Sequence, residues 1–485
     1  MSKTLKAIAA LALAAILIHS RAASQEIPSE TWMGIYLNQA KIGYARFFIE
    51  KANFRGKPGY RLDSTTVTRV LALGVEVEQT LDTAVRLSKD FEPVHQVFKM
   101  SSAGHTTTVT AVFGAGEIVA EVTSAGTKST RRIPIPAGSK IVGGDTFLSP
   151  AVKLKIGDKL NVKVFNPLTL TLDDLQAEVL RQEELELGGE THQAFVVKTI
   201  TPFGEMICWQ AENGNVLKVT ALMGIVMIRE PKEAAQSIEP RVGNYVPPSD
   251  LAVMTSAPTA TEVPNPRQVK YMKIRLSGLR DRTLAISDRR QKVKYSGGER
   301  PVAVFEITAS RFDPSKAAPL PIGNAEFKRF LAESPYVQPL NPEIAALARQ
   351  VAGKEKNACA VVSRLRAWVN SNMEPKANIG IIRSSVDVLH AKTGVCRDYA
   401  VLYAALARAA GIPTKLVAGL VHWKDGFYYH AWAESFVGEW VPVDATLSTD
   451  FVDATHIKLA EGDATAMFDM LKTVGSLKAE ILGFK

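Results

Sequence analysis

Gly394-Val395-Cys396-Arg397-Asp398-Tyr399 runs directly into Ala400-Val401-Leu402-Tyr403-Ala404-Ala405-Leu406-Ala407-Arg408-Ala409-Ala410, a cysteine set just ahead of a long Ala- and Leu-rich run. Ala and Leu are the strongest helix formers, and Gly411 followed by Pro413 is a stop signal, so Tyr399 to Ala410 is predicted as a helix. The stretch is apolar almost all round, which places the helix inside a domain core. Cys396 falls in its first turn or just before it. There the unpaired backbone amides and the positive end of the helix dipole favour a thiolate. A thiol becomes a good nucleophile only as a thiolate, and a neighbouring imidazole oriented by an acid promotes the same ionisation.

Both partners follow in sequence. Thr414 to Val421 reads as a mostly buried strand, and Lys424-Asp425-Gly426 as a turn. From His430 the pattern alternates, with His430, Trp432, Glu434 and Phe436 on one face and Ala431, Ala433, Ser435 and Val437 on the other. Gly438-Glu439 makes a tight turn, and Trp440 to Asp444 returns as the next strand. Side chains on facing antiparallel strands come within contact distance, so His430 and Asp444 are expected to pair across this hairpin. Asp444 would then fix the ring tautomer and His430 take the Cys396 proton. Cys396, His430 and Asp444 lie within 49 residues of one another.

Gly-Val-Cys-Arg-Asp-Tyr-Ala at 394–400, Ala-Arg-Ala-Ala-Gly-Ile-Pro-Thr-Lys at 407–415, His-Ala-Trp-Ala-Glu at 430–434 and Trp-Val-Pro-Val-Asp-Ala-Thr at 440–446 together resemble the transglutaminase-like core shared by microbial cysteine-protease homologues. The resemblance runs from roughly Asn341 to Leu447. It implies a papain-like α+β fold and an acyl-thioenzyme, with Cys396 as nucleophile, His430 as general base and Asp444 as orienting acid. Animal transglutaminases place a Trp upstream of the nucleophile for the oxyanion, and papain a Gln. Here Trp368 lies 28 residues before Cys396, on a helix expected from Ala358 to Met373, and His390 stands six residues before it in the position of the Gln. The Cys396 backbone amide is the expected oxyanion donor. Trp432 and Tyr399 are candidates for walls of the pocket.

The remaining chemistry-bearing residues exclude more than they suggest. Three cysteines in 485 residues make no disulfide-stapled scaffold, and Cys208 and Cys359 sit in apolar surroundings as small core residues. Zinc uses Cys, His and Asp too, but no Cys-x-x-Cys or His-x-x-x-His pair is present and His422 is a poor substitute, so no metal site is expected. No phosphate-cradling Gly-rich loop points to a cofactor. Removing Lys3, Lys6 and Arg21 from the net charge of +9 leaves +6, and runs such as Asp288-Arg289-Arg290-Gln291-Lys292 are short and mixed, so nucleic acid is not expected as a partner.

Lys3 and Lys6, an apolar run of 12 residues from Ala7 to Ile18, and Ser20-Arg21-Ala22-Ala23-Ser24 form a secretory signal peptide over 1–24, with cleavage expected before Gln25. The run is shorter than the roughly 17–25 residues a spanning helix needs, so no transmembrane span is expected in the mature chain. Residues 25–235 read as short strands with Gly-containing turns, for example Thr106 to Phe113, Gly114-Ala115-Gly116 and Glu117 to Thr123, hence as an antiparallel β-rich domain. Residues 236–266, with five prolines after Asn244, read as a linker or strap. A small β-unit is expected over 267–322 and the α+β catalytic domain over 323–485. The expectation is a periplasmic or secreted thiol enzyme acting on a polypeptide or peptide-containing envelope polymer, with hydrolysis favoured over transfer to an amine. The alternative is a binding protein that keeps the fold without turnover.

Overall fold

The computed structural model describes residues 27–143, 154–238 and 255–485, except positions 38, 73, 125, 203, 222–223, 280, 299–300, 377–380, 465–466, 468–469, 471–472 and 474–475. The expected signal peptide lies outside the described residues. No helix among them is long and apolar enough to cross a membrane, which says nothing of β-barrels. The chain divides into two compact units, one built by the strands up to Arg229 and one by the chain from Ala252 onward.

In the first unit, fifteen strands from β1 (Ser29–Leu37) to β15 (Ile225–Arg229) form one sheet. Neighbours in sequence pair in space, and β1 pairs with β15, so the first and last strands meet mid-sheet. Pairing is antiparallel from β1 to β6 and from β10 to β15, and parallel between the short β9 (Ile141–Val142) and β10 (Lys159–Asn166). Burial alternates along the strands, as in β7 (Glu117–Ser124), where every second residue is buried. A short helix, α1 (Lys232–Gln236), closes the unit.

The second unit holds two larger antiparallel sheets. In one, β16 (Ala257–Pro258), β23 (Gly426–Phe436), β22 (Thr414–Trp423) and β25 (Ile457–Gly462) are neighbours in that order, and β24 (Trp440–Val443) also pairs with β23. In the other, β18 (Gln291–Ser296), β19 (Val302–Thr308), β17 (Tyr271–Ser277) and β26 (Lys478–Phe484) are neighbours. Two features differ from the sequence expectation. The β-unit expected over 267–322 takes its fourth strand from the far C-terminal β26, which exposes or half-exposes every residue and so carries no strong hydrophobic alternation. Within the expected linker, Ala257 is buried where β16 extends the edge of β23.

Helices α3 (Pro342–Ala352), α4 (Ala358–Asn372), α5 (Ser385–Ala391) and α6 (Cys396–Ala409) follow a short α2 (Lys328–Leu331). Side chains cap three of them. Asn341 accepts from the Glu343 and Ile344 amides, Asn357 from Ala360, and Ser384 from Asp387. Helix α6 is the hub: it lies against α3, α4, α5, β22 and β23 and is buried from Arg397 to Arg408. Its Tyr403 hydroxyl meets Ser435 Oγ of β23 at 2.8 Å. The helix ends at Gly411, whose φ of +79° only glycine adopts without strain and where a Cβ would lie 2.8 Å from Pro321.

Across the β22–β23–β25 sheet runs a buried charge cluster. Lys458 Nζ lies 3.0 Å from both Glu434 oxygens, 2.5 Å from Asp288 and 2.8 Å from Glu461. Lys415 adds a second cation, 3.1 Å from Glu434 and 2.8 Å from Glu461. Removing one member of such a set leaves the opposite charges uncompensated in low dielectric. Lys458→Met is therefore expected to lower stability by about 3–5 kcal/mol in urea unfolding followed by tryptophan fluorescence. An unchanged midpoint would show that the cluster does not hold this sheet together.

Candidate active site

Cys396 is the first residue of α6 and one of three free thiols among the described residues; it is partly exposed. The residue before it, Val395, has no side-chain acceptor with which to cap a helix. Asp398 acts from within the first turn instead, accepting the Val395 amide at 2.9 Å, while the fully buried Arg383 lies 3.3 Å from the Asp398 carboxylate. This internal cap is why α6 begins three residues before the expected Tyr399 and includes the thiol in its first turn. The Cys396 amide has no acceptor within the helix, so it points outward as an oxyanion donor would. Tyr399 donates its hydroxyl to the Met373 carbonyl at 3.0 Å, tying α6 to the end of α4, and Arg397 is buried.

His430 stands on β23, opposite Gly419 of β22. Gly419 is needed there because a Cβ would lie 1.9 Å from the Ile457 carbonyl oxygen and 2.8 Å from the Trp432 ring. Asp444 is the first residue beyond β24. The pairing of Ala433 with Val443 continues to set Asp444 opposite Trp432, so His430 and Asp444 are diagonal rather than direct neighbours. Their side chains span the offset, with His430 Nε2 2.7 Å from Asp444 Oδ2. Nδ1 is then the ring nitrogen left for Cys396. The His430 ring and the Ala431 backbone N–H both act on the thiol so as to favour its ionised form.

The electrostatics follow from these contacts. Burial alone would push the Cys396 thiol up, but the His430 charge and hydrogen bond, with the Ala431 amide, bring it down to about 6. Burial likewise works against charge on His430, and the adjacent Asp444 carboxylate and Cys396 thiolate overcome it, raising the ring to about 10. Asp444, although buried, is held well below the usual carboxylate range by His430 and by a second ring, His456. Between these limits the pair rests as thiolate and imidazolium. Cys208 is pushed up to about 12 by burial, and Cys359 is raised by burial and by Asp450.

The other candidates fall in different places. Trp432 is fully buried, lying against the His430 ring with centroids 6.1 Å apart. His390, at the end of α5, is half-exposed and its Nε2 lies 2.8 Å from the Glu343 carboxylate. Trp368 is partly exposed on α4 between Arg366 and Asn370, which hold the loop after Asp444 through the Leu447 carbonyl at 2.7 Å and the Ala445 carbonyl at 3.1 Å. Sequence reasoning missed His456, whose Nε2 lies 3.2 Å from the same Asp444 oxygen. The signal was a repeat: Val443-Asp444-Ala445-Thr446 recurs as Val452-Asp453-Ala454-Thr455, directly before His456. His430, Asp444 and His456 offer ligand-type atoms within 4.8 Å of one another, and the contacts present are hydrogen bonds from both rings to one carboxylate oxygen.

These surroundings make one thiol unlike the other two. Brief iodoacetamide treatment at mildly acidic pH is expected to modify Cys396 alone, read by peptide mass spectrometry, and His430→Ala is expected to abolish that selectivity. Earlier modification of Cys208 or Cys359 would contradict the geometry.

Residues 345–445 match the sequence model of the transglutaminase-like superfamily, and residues 33–227 match a family described as a protein of unknown function, DUF3108. A protein of Mycobacterium leprae (strain TN) is 30% identical over 124 residues, 24% of this chain and 44% of that protein. The chain thus spans less than half the length of this curated relative. Among solved structures, a candidate cysteine protease from Cytophaga hutchinsonii is 20% identical, covering 45% of this chain and 86% of its own, with a TM-score of 0.32. A β-barrel-like DUF1849 protein from Brucella abortus is 12% identical, covering 43% and 97%, also with a TM-score of 0.32. Residues 345–445 of this chain are a transglutaminase-like domain.

Proposed function

We propose that this protein is an exported thiol enzyme that acts on amide or peptide bonds through an acyl-thioenzyme formed on Cys396. The observation that carries this reading is the set of Cys396, at the start of α6 with its thiol pKa lowered by the charge of His430, and His430 hydrogen-bonded to Asp444. The Cys396 thiolate attacks the carbonyl carbon, forming a C–S bond, and the carbonyl oxygen takes the negative charge beside the Cys396 amide. His430 gives its Nδ1 proton to the leaving nitrogen as the C–N bond breaks. A second nucleophile then loses its proton to His430, attacks the thioester and releases the thiolate. Asp444 remains ionised throughout and keeps the ring oriented.

The second nucleophile decides between hydrolysis and transfer. Selecting an amine over water requires a water-poor channel lined by apolar side chains. The aromatics available for one are used in packing: Trp432 is fully buried, Phe436 lies tilted against Phe327 and edge-on to Trp440, Tyr429 meets Thr473, and Tyr428 meets Asp425. Those contacts support hydrolysis. The basic and apolar start of the chain supports an extracytoplasmic polypeptide or peptide-containing polymer as substrate.

Turnover should follow the ion pair. kcat/KM is expected to rise through about pH 6 as Cys396 loses its proton and to fall near pH 10 as His430 loses its own. The two limbs belong to the pair rather than to either residue. Asp444→Asn, which can stabilise the wrong tautomer, should lower kcat by about a thousandfold or more. The test is incubation with glutamine- or asparagine-containing peptides, with and without a primary amine. Hydrolysed product unaffected by the amine is expected, and amine incorporation would replace hydrolysis by transfer. No product, with Cys396 inert to thiol probes, would favour a binding protein instead.

A further inference from the structure

The two copies of Val-Asp-Ala-Thr fold alike. Thr446 donates its amide and hydroxyl to Asp444 Oδ1 at 2.9 and 2.6 Å, and Thr455 does the same to Asp453 Oδ1 at 2.8 and 2.5 Å. Between the two carboxylates stands the fully buried His456 ring. Its Nε2 lies 3.2 Å from Asp444 Oδ2, the oxygen that holds His430, and its Nδ1 lies 3.3 Å from Asp453 Oδ1. Arg267 Nη1 lies 2.9 Å from the other Asp453 oxygen, and Arg290 donates to the His456 and Asp453 carbonyls. Trp432 meets the His456 ring edge-on at 5.4 Å, and the His430 ring lies 5.7 Å away.

Packing alone does not account for this set, since an apolar side chain of similar volume often serves a buried position as well as a charged group does. What singles out His456 is the oxygen it touches. We propose that His456 is a positioning residue for the Cys396–His430–Asp444 line, an inference that rests on the thiol-enzyme reading above. Its Nε2–H pins Asp444 Oδ2, while the Thr446 amide and hydroxyl pin Oδ1, so the carboxylate cannot rotate away from His430. Asp453, steadied by Thr455 and Arg267, keeps the His456 ring turned with Nε2 towards Asp444. The charged and titratable groups around the ring are thus His430, Asp444, Asp453, Arg267 and Arg290.

Two substitutions in the full chain separate positioning from bulk. His456→Phe keeps a ring of similar size without the N–H, and His456→Gln returns an amide N–H. The readout is the pH dependence of Cys396 alkylation by iodoacetamide, with the melting temperature measured beside it. For His456→Phe the low-pH limb is expected to move up by about one pH unit, a tenfold loss of thiolate at mildly acidic pH, as His430 loses its fixed carboxylate. His456→Gln should recover most of that shift. If His456→Phe does not fold, Asp453→Asn, which frees the ring to turn, is expected to move the limb in the same direction. An unchanged limb in the folded variant, or equal shifts in Phe and Gln variants with equal losses of melting temperature, would overturn the proposal. A wild-type Cys396 that is unreactive near pH 6 would instead contradict the thiol-enzyme reading itself.

Discussion

Burying the Asp444 carboxylate removes hydration worth several kcal/mol, and the protein offsets that loss with donors on both oxygens. Thr446 supplies two to Oδ1, while His430 and His456 each approach Oδ2. The arrangement lowers the carboxyl well below its usual range, and a carboxylate that stays ionised can hold an imidazolium next to it. That imidazolium in turn makes Cys396 a thiolate near neutral pH. Each step depends on the previous one, so the ionisation of the thiol begins at a buried carboxylate.

The scaffold fixes the two ends of this line by different means. At the thiol end, α6 is locked by burial on every side, and its first turn is held by Asp398 and Arg383 rather than by a conventional cap. At the carboxylate end, the β23–β24 hairpin sets the register, and α4 grips the following loop through Arg366 and Asn370. Gly419 lets the Trp432 ring lie over β22, where it backs both imidazoles. Cys396 and His430 stand on a helix and a strand, and Asp444 follows directly on a strand, so the hydrogen-bonding groups are held on or beside rigid elements.

Local chemistry made part of this legible in the sequence. The Ala- and Leu-rich run after Cys396, the alternation after His430 and the Gly-Glu turn before Trp440 each specify their element without help from distant residues. The fifteen-strand sheet was visible as a succession of strands, while its order, with β1 beside β15, depends on pairing that no local pattern encodes. The early start of helix α6 comes from a carboxylate inside its own first turn, a local feature in keeping with a Cys396 expected in that turn or just before it. Two features were hidden because they are tertiary. Strand β26 pairs with β17 across some two hundred residues. His456 stands just before β25, whose pairing with β22 brings the ring to Asp444, while the neighbouring Asp453 faces its other nitrogen. His390 illustrates the converse, since a suggestive spacing to the nucleophile did not outweigh an exposed contact with Glu343.

Cys396 is expected to rest as a thiolate because His430, held by Asp444, rests as an imidazolium. Ultraviolet thiolate absorbance, titrated in the wild type and subtracted against Cys396→Ala, measures that state without any knowledge of substrate. The predicted midpoint is about pH 6, and the low midpoint should disappear in His430→Ala. A wild-type midpoint at or above the ordinary thiol value of about 8.5 would show that His430 does not hold Cys396 as a thiolate.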